Sequence, residues 1–387
     1  MNRLSRRDIL LRASALGCSL AASPLVTPLA FAKAPWDTRL IVIILRGGMD
    51  GLDVVRPMGD PAFAALRPGL QDGDPAHDLD GYLTKHPALG DLVPLWDKGE
   101  LGFVHSVSTP YRDKRSHFDG QDLLEAGTVA LSGGVRDGWL NRMLQEVPGL
   151  EADTAYAIGT GDLRVLEGAA PVANWAPEAN LRISPAALRL ASLVMEPDAP
   201  MHAALAEAEI LSQTAGASGR GGRGHQQIAR FAAERLREDA RVAAFSLNGW
   251  DTHRAQARNL GRNLTTLSET VTLLRDGLGA QAWDKTALVA MTEFGRTARE
   301  NGTGGTDHGT GGLMMLAGGA INGGQVFGRW PGVGENALYQ GRDLMPTADV
   351  RAGAAEVMRA ITGVSQTALE TKIFPGLQMG APLGLMR

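Results

Sequence analysis

Seven consecutive residues, Arg39-Leu40-Ile41-Val42-Ile43-Ile44-Leu45, carry no polar side chain after the arginine, and the run ends in Arg46-Gly47-Gly48-Met49-Asp50-Gly51. A strand of this composition has no face to show to water. It must be covered on both sides, which is the situation of a strand in a parallel sheet flanked by helices. The glycines close it with a tight turn. Three more runs have the same character: Arg241 to Leu247, Thr286 to Thr292 and Leu313 to Ala317. Leu101 to His105 reads as a shorter strand. Helical patterns lie between them, from Ser116 to Glu125 and over 199–213, 225–238, 256–278 and 348–361. Strands alternating with helices predict an α/β fold with a mostly parallel central sheet.

Two stretches break the pattern. Residues 55–100 are rich in Pro, Gly and Asp and read as surface chain with short helices. Residues 150–240 hold short Ala-rich segments and a Gly/Arg/Ser stretch from Gly216 to Gly224. They are expected to form an inserted helical region or cap on one domain spanning 33–387. The chain has 49 glycines in 387 residues, about twice the ordinary share. No Gly-X-Y period organises them, so they serve turns and loops.

Residues 1–32 read as a leader to be set aside before folding is considered. Ser5-Arg6-Arg7-Asp8-Ile9-Leu10 is a twin-arginine pattern, an apolar stretch from about Ala13 to Phe31 follows, and Ala30-Phe31-Ala32 is a small-x-small cleavage site. This order predicts a twin-arginine signal peptide, handling by the Tat translocase, and a periplasmic or secreted mature protein. The leader also carries Cys18, the chain's single cysteine. The mature chain would have no thiol for a disulfide, a zinc–thiolate site or a cysteine nucleophile. The formal net charge of −4 gives no basic footprint for nucleic acid. Beyond the leader no apolar run approaches the length of a membrane-spanning helix.

Reactive groups in open parallel sheets gather at the C-terminal ends of strands. Four such ends carry metal-ligand types: Asp50; Asp251 and His253; Glu293 with Arg296; and Asp307-His308 ahead of the strand at 313. Each has an ordinary reading on its own. Asp50 could be a turn residue and Asp251 a helix cap. A carboxylate at Glu293, ending a buried strand, needs a partner. Together they predict one shared site for a divalent metal held by carboxylates and imidazoles: Zn, Mn, Mg, Ca or Fe, as one or two ions. His77, His86, His202 and His225 lie in weaker contexts and read as solvated. No Walker A sequence, strand-coupled GxGxxG, G-x-S-x-G elbow or H-E-x-x-H is present.

At these residues the chain resembles a known family. Arg46-Gly47-Gly48-Met49-Asp50-Gly51-Leu52-Asp53, Gly249-Trp250-Asp251-Thr252-His253, Glu293-Phe294-Gly295-Arg296-Thr297 and Gly305-Thr306-Asp307-His308-Gly309 resemble motifs of the domain-of-unknown-function 1501 family of exported bacterial proteins. The likeness runs from about residue 38 to the C-terminus. That family is more distantly similar to the alkaline phosphatase and sulfatase superfamily. This second resemblance implies an alkaline-phosphatase-like three-layer sandwich with one or two metals at the C-terminal edge of the sheet. Asp50 matches the first-strand ligand and His308 the final histidine. Ser116, at a helix start followed by Leu123-Leu124-Glu125-Ala126-Gly127, matches the nucleophile. Asp251-Thr252-His253 stands for a longer Asp-x-x-x-His pair. Glu293 and Phe294 stand where the superfamily has Asp-His, so one ligand is missing.

The sequence therefore predicts an exported metal-dependent hydrolase of a phosphate, sulfate or related ester, acting on a small-molecule or glycan substrate. Ser116 would be the nucleophile, and His117 or Asp307 an acid/base group or a support behind the ligands. Arg296, with Arg46 and Arg115, would neutralise the anion. The rival reading is a catalytically silent relative acting as an envelope binding or scaffold protein.

Overall fold

A computed structural model describes residues 34–70, 77–112, 114–130, 137–147, 149–159, 163–177 and 224–387. The leader, the helix expected at 199–213, most of the Gly-rich stretch and His202 lie outside them.

The centre is a nine-stranded sheet. In chain order its strands are β1 (Arg39–Arg46), β2 (Leu101–Ser108), β3 (Ala155–Ile158), β4 (Ala173–Trp175), β5 (Val242–Asn248), β6 (Thr286–Met291), β7 (Gly312–Ala317), β8 (Val326–Phe327) and β9 (Ala348–Asp349). They lie side by side as β8-β2-β7-β6-β1-β5-β3-β4, with β9 also on β2. The pairs of β1 with β5 and β6, and of β3 with β4 and β5, are parallel. Only β7 runs against its neighbours, β2 and β6. The class is α/β with a mostly parallel sheet, as the sequence predicts.

The described residues include four helices of ten residues or more: α1 (His117–Ala126), α2 (Gly224–Arg237), α3 (Gln256–Trp283) and α4 (Val350–Thr362). β1 shows why the sheet needs both layers. Ile41, Ile43 and Leu45 pack with Leu260, Leu264, Leu267 and Val271 of α3 and Phe231 of α2. Leu40, Val42 and Ile44 face the other way, toward Val350, Ala354, Val357 and Met358 of α4. All six β1 side chains are essentially inaccessible. Burying each is worth about 1.5–3 kcal/mol relative to exposure. The helix expected over 256–278 ends as a regular helix there: Gly279, at φ 71°, interrupts it before a last turn.

The stretch 150–240 differs from its expectation where it is described. β3 and β4 do not sit on the sheet as a cap; they extend it, in register with β5. They are four and three residues long, too short to show a period in sequence. Two histidines read as solvated are enclosed instead. His86 is buried and accepts the Ala88 N–H, and His225 pairs with Glu269 at 2.7 Å.

This topology determines where the chemistry gathers. β5, β1 and β6 are adjacent and parallel, so their C-terminal ends share one edge. The antiparallel β7 begins at that edge, and β2, antiparallel to β7, ends there and leads toward α1.

Candidate metal centre

Four of the connections at this edge deliver polar side chains to one place. The segment after β2 places His117 on the first turn of α1. The helix begins there because Ser116 caps it, its Oγ accepting the Asp119 N–H. The residue before, Arg115, is held at φ 54°, a region few L-residues occupy. The β5 connection gives Asp251 and His253, the β6 connection Glu293 and Arg296, and the approach to β7 Asp307 and His308.

His117, Asp251 and His308 come together: one ligand atom from each lies within 4.8 Å of the others. His253 joins them, with Nε2 3.0 Å from Asp251 Oδ1 and 2.9 Å from His308 Nε2. The outer partners fix how these groups face one another. His117 Nδ1 lies 2.8 Å from Glu293 Oε1. His308 Nδ1 lies 2.8 Å from the Arg115 carbonyl. His253 Nδ1 lies 3.1 Å from Asp307 Oδ1. A carbonyl and two carboxylates can only accept, so each Nδ1 donates. Each Nε2 of a neutral ring is then left with a lone pair.

The lone pairs of His117 and His308 thus converge with the Asp251 carboxylate, and that of His253 faces Asp251 and His308. The His117 Nε2 is buried without a hydrogen-bond partner, its nearest acid oxygen being Asp251 Oδ2 at 3.4 Å. Leaving a buried polar atom unpaired costs about 1–3 kcal/mol. Two nitrogen lone pairs 2.9 Å apart repel unless a cation or proton stands between them. The donor set fits a divalent metal. Its nitrogen content suits Zn, Fe or Mn, whereas Mg and Ca favour all-oxygen shells. The His117 and Phe294 rings are neighbours, with centroids 5.0 Å apart.

The surrounding charges tune the cluster. The hydrogen bond that its Nδ1 donates to Glu293 raises the His117 pKa above that of an ordinary histidine, against the effect of burial. Burial lowers that of His308. Burial alone would raise the Asp251 carboxyl, but the Arg296 guanidinium holds it below the usual value. Glu293 is wholly enclosed, and here too burial is outweighed. The His117 ring, the Gln121 amide and the Gly47 N–H all donate to it and keep it ionised.

Several residues expected in the site are engaged elsewhere. Asp50 is not drawn into the cluster. Its Oδ2 meets Arg67 Nη1 at 2.8 Å, Gln256 Nε2 at 2.7 Å and Thr306 Oγ1 at 3.2 Å. Glu293 sits one shell out, orienting His117, and Asp307 orients His253. Arg296 is a strut: its nitrogens donate to the carbonyls of Gly47, Gly48, Trp250 and Thr306 and to Asp251. Its side chain is fully enclosed, so it has no face to offer a substrate anion. Arg46 is paired with Glu125 and Gln121. Arg115 remains one-third exposed beside the site.

The family described as "Protein of unknown function (DUF1501)" matches residues 106–357, a span holding all four converging groups. The chain belongs to the DUF1501 family. No curated protein sequence matches it significantly. Among solved structures, this DUF1501 chain resembles the zinc complex of the C-terminal periplasmic domain of EcEptC from Escherichia coli, at 9% identity over 73% of each chain and a TM-score of 0.35. It also resembles an alkaline phosphatase superfamily protein from Vibrio parahaemolyticus, at 10% identity over 82% of this chain and 69% of that one, TM-score 0.34. The alkaline phosphatase of Thermus thermophilus aligns at 12% identity over 70% and 63%, TM-score 0.30. Likeness this slight bears on neither substrate nor metal, which must be argued from this chain's own residues.

Sequence reasoning missed Gln256, the buried first residue of α3. Its amide donates to Asp50 and Asp53 and accepts from Thr252 and Thr306, tying three of the site's loops together. Its position five residues after Asp251, at a helix start, was the only signal.

Proposed function

We propose that this DUF1501 protein is a metal-dependent hydrolase of a phosphate, sulfate or related ester, working outside the cytoplasm. The observation that carries the reading is the convergence of His117, Asp251 and His308, one ligand atom of each within 4.8 Å of the others, with His253 Nε2 set against Asp251 and His308 and each ring's tautomer fixed from behind. His117, Asp251 and His308 would hold the cation, with His253 as a further ligand. A bound divalent metal would acidify an adjacent hydroxyl or water and draw charge from an ester oxygen.

The chain's own groups supply the rest. Ser116 neighbours His117, and its cap bond to Asp119 is long, at 3.4 Å, so the hydroxyl is lightly held. It would form the bond to phosphorus or sulfur while the ester bond breaks, its proton passing to solvent and the leaving oxygen taking one. Water would then restore the serine. Arg115 would face the substrate's anionic oxygens. The test is turnover of p-nitrophenyl phosphate and p-nitrophenyl sulfate by protein reconstituted with Zn, Fe or Mn. Turnover that disappears in His117→Gln is expected. No turnover with any of these metals would overturn the reading.

A further inference from the structure

Beside the centre lies a cavity of about 500 Å³, within the usual range of ligand pockets. It shares a wall with the site. Asp307, whose Oδ1 orients His253, lines it. So does Arg342, which pairs at 2.9 Å with the buried Asp343; the same carboxylate lies 3.7 Å from Arg115. A group filling this space would touch Asp307, which bonds His253 directly, and Arg342, which is linked to His308 through Asp343 and Arg115.

Its chemistry is mixed in a definite way. The floor is apolar, made by Leu66, Val333 and Leu338, which belong to a small buried cluster of their own. Around it stand both signs of charge: Arg299 and Arg342 against Asp307, Glu300 and Glu335. Capacity is left over. The side chains of Arg299 and Glu335 are exposed and have no partner among the described residues. Glu300 uses Oε2 on the Gly69 N–H and leaves Oε1 open.

A second anionic group would meet three carboxylates. A purely apolar group would strip water from five charged side chains and return no hydrogen bonds. A neutral polyhydroxylated group satisfies the whole lining: its hydroxyls donate to the carboxylates and accept from the guanidinium groups, and its C–H face covers the leucines and valine. We infer that this cavity is the subsite for a neutral sugar residue, the part of the substrate that carries the ester. The inference rests on the hydrolase reading for its role, but the binding it asserts can be read without turnover.

The probes are the methyl glycosides of glucose, galactose, mannose and N-acetylglucosamine, offered to full-length protein with and without Zn, with glucuronic acid as the anionic control. Binding is followed by saturation-transfer NMR and titration calorimetry. At least one neutral glycoside should bind in both metal states, and glucuronic acid more weakly. Ala65→Trp, on an exposed rim position, fills the space and should weaken binding about tenfold or more. Glu335→Ala, a milder change at an exposed site, should weaken it about threefold. Circular dichroism and melting curves establish that both variants are folded. Glycoside binding without ester turnover would uphold the subsite and sink the hydrolase reading. Turnover of aryl esters with no glycoside bound, or binding indifferent to both substitutions, would overturn the subsite alone.

Discussion

At the scale of single residues, the centre depends on what stands behind each imidazole. Glu293→Gln keeps the shape and removes the charge that polarises His117. Outer-shell changes of this kind typically cost about 10–100-fold in metal affinity, and that loss is expected here in a zinc competition titration, with little change in melting temperature. Ser116 has two possible duties, and one pair of variants separates them. Ser116→Ala loses the cap and should destabilise by about 1 kcal/mol. Ser116→Asn keeps a capping oxygen, so stability should hold while ester turnover disappears; unchanged turnover in Ser116→Asn would show that the hydroxyl only caps the helix. A third prediction lies away from the site. His105 is buried, its Nε2 donating to the Val55 carbonyl and its Nδ1 accepting the Ser106 N–H. Burial pushes its pKa down to about 4 from 6.5. The unfolded chain therefore takes up a proton first as pH falls. His105's contribution is fully present above about pH 6.5 and is lost toward pH 4, up to about 3 kcal/mol. Urea midpoints should fall across that window, with a shallower slope in His105→Gln. Asp251, His253 and His308 were legible in sequence because strand ends mark them. The place of His117 was not, since the helix start beside it pointed to Ser116. Nor was the diversion of Asp50, whose partner Arg67 lies in a stretch with no period to read.

At the scale of elements, three loops are tied beneath the centre by a buried network. Asp50 and Arg67 are each about 1% exposed, and Arg67 also donates to the carbonyls of Thr297 and Ala298. Breaking such a pair from one side leaves a charge without compensation. Arg67→Met is expected to cost about 3–5 kcal/mol in denaturant unfolding. Asp50→Asn paired with Arg67→Met should recover much of that loss; failure to recover would mean that Arg67 acts mainly through its carbonyl contacts. The long elements were legible for a simple reason. β1, β6 and β7 are nearly continuous apolar runs and β5 is mostly apolar, and α3 keeps its leucines at helical spacing for about five turns. β3 and β4 hid because three or four alanine-rich residues show neither period. Their place in the sheet is determined by pairing with β5, a tertiary fact.

At the scale of the whole molecule, a sheet covered on both faces forms a rigid base, and its polar connections meet at one edge. The single antiparallel strand β7 matters here. By reversing direction it starts where its neighbours end, and so it brings Asp307 and His308 into the group. Among the described residues no helix is long and apolar enough to cross a membrane. A cation bound only by the folded state would add to stability by mass action, about 2.7 kcal/mol at a hundred times its dissociation constant. The account stands on that cation. Metal content per chain, measured by plasma mass spectrometry after equilibrium dialysis against Zn, Fe or Mn, tests it most directly. Stoichiometric metal in the unaltered protein and near-complete loss in His117→Gln is the predicted result. A chain that retains none of the three, or a His117→Gln variant that retains as much, would contradict it.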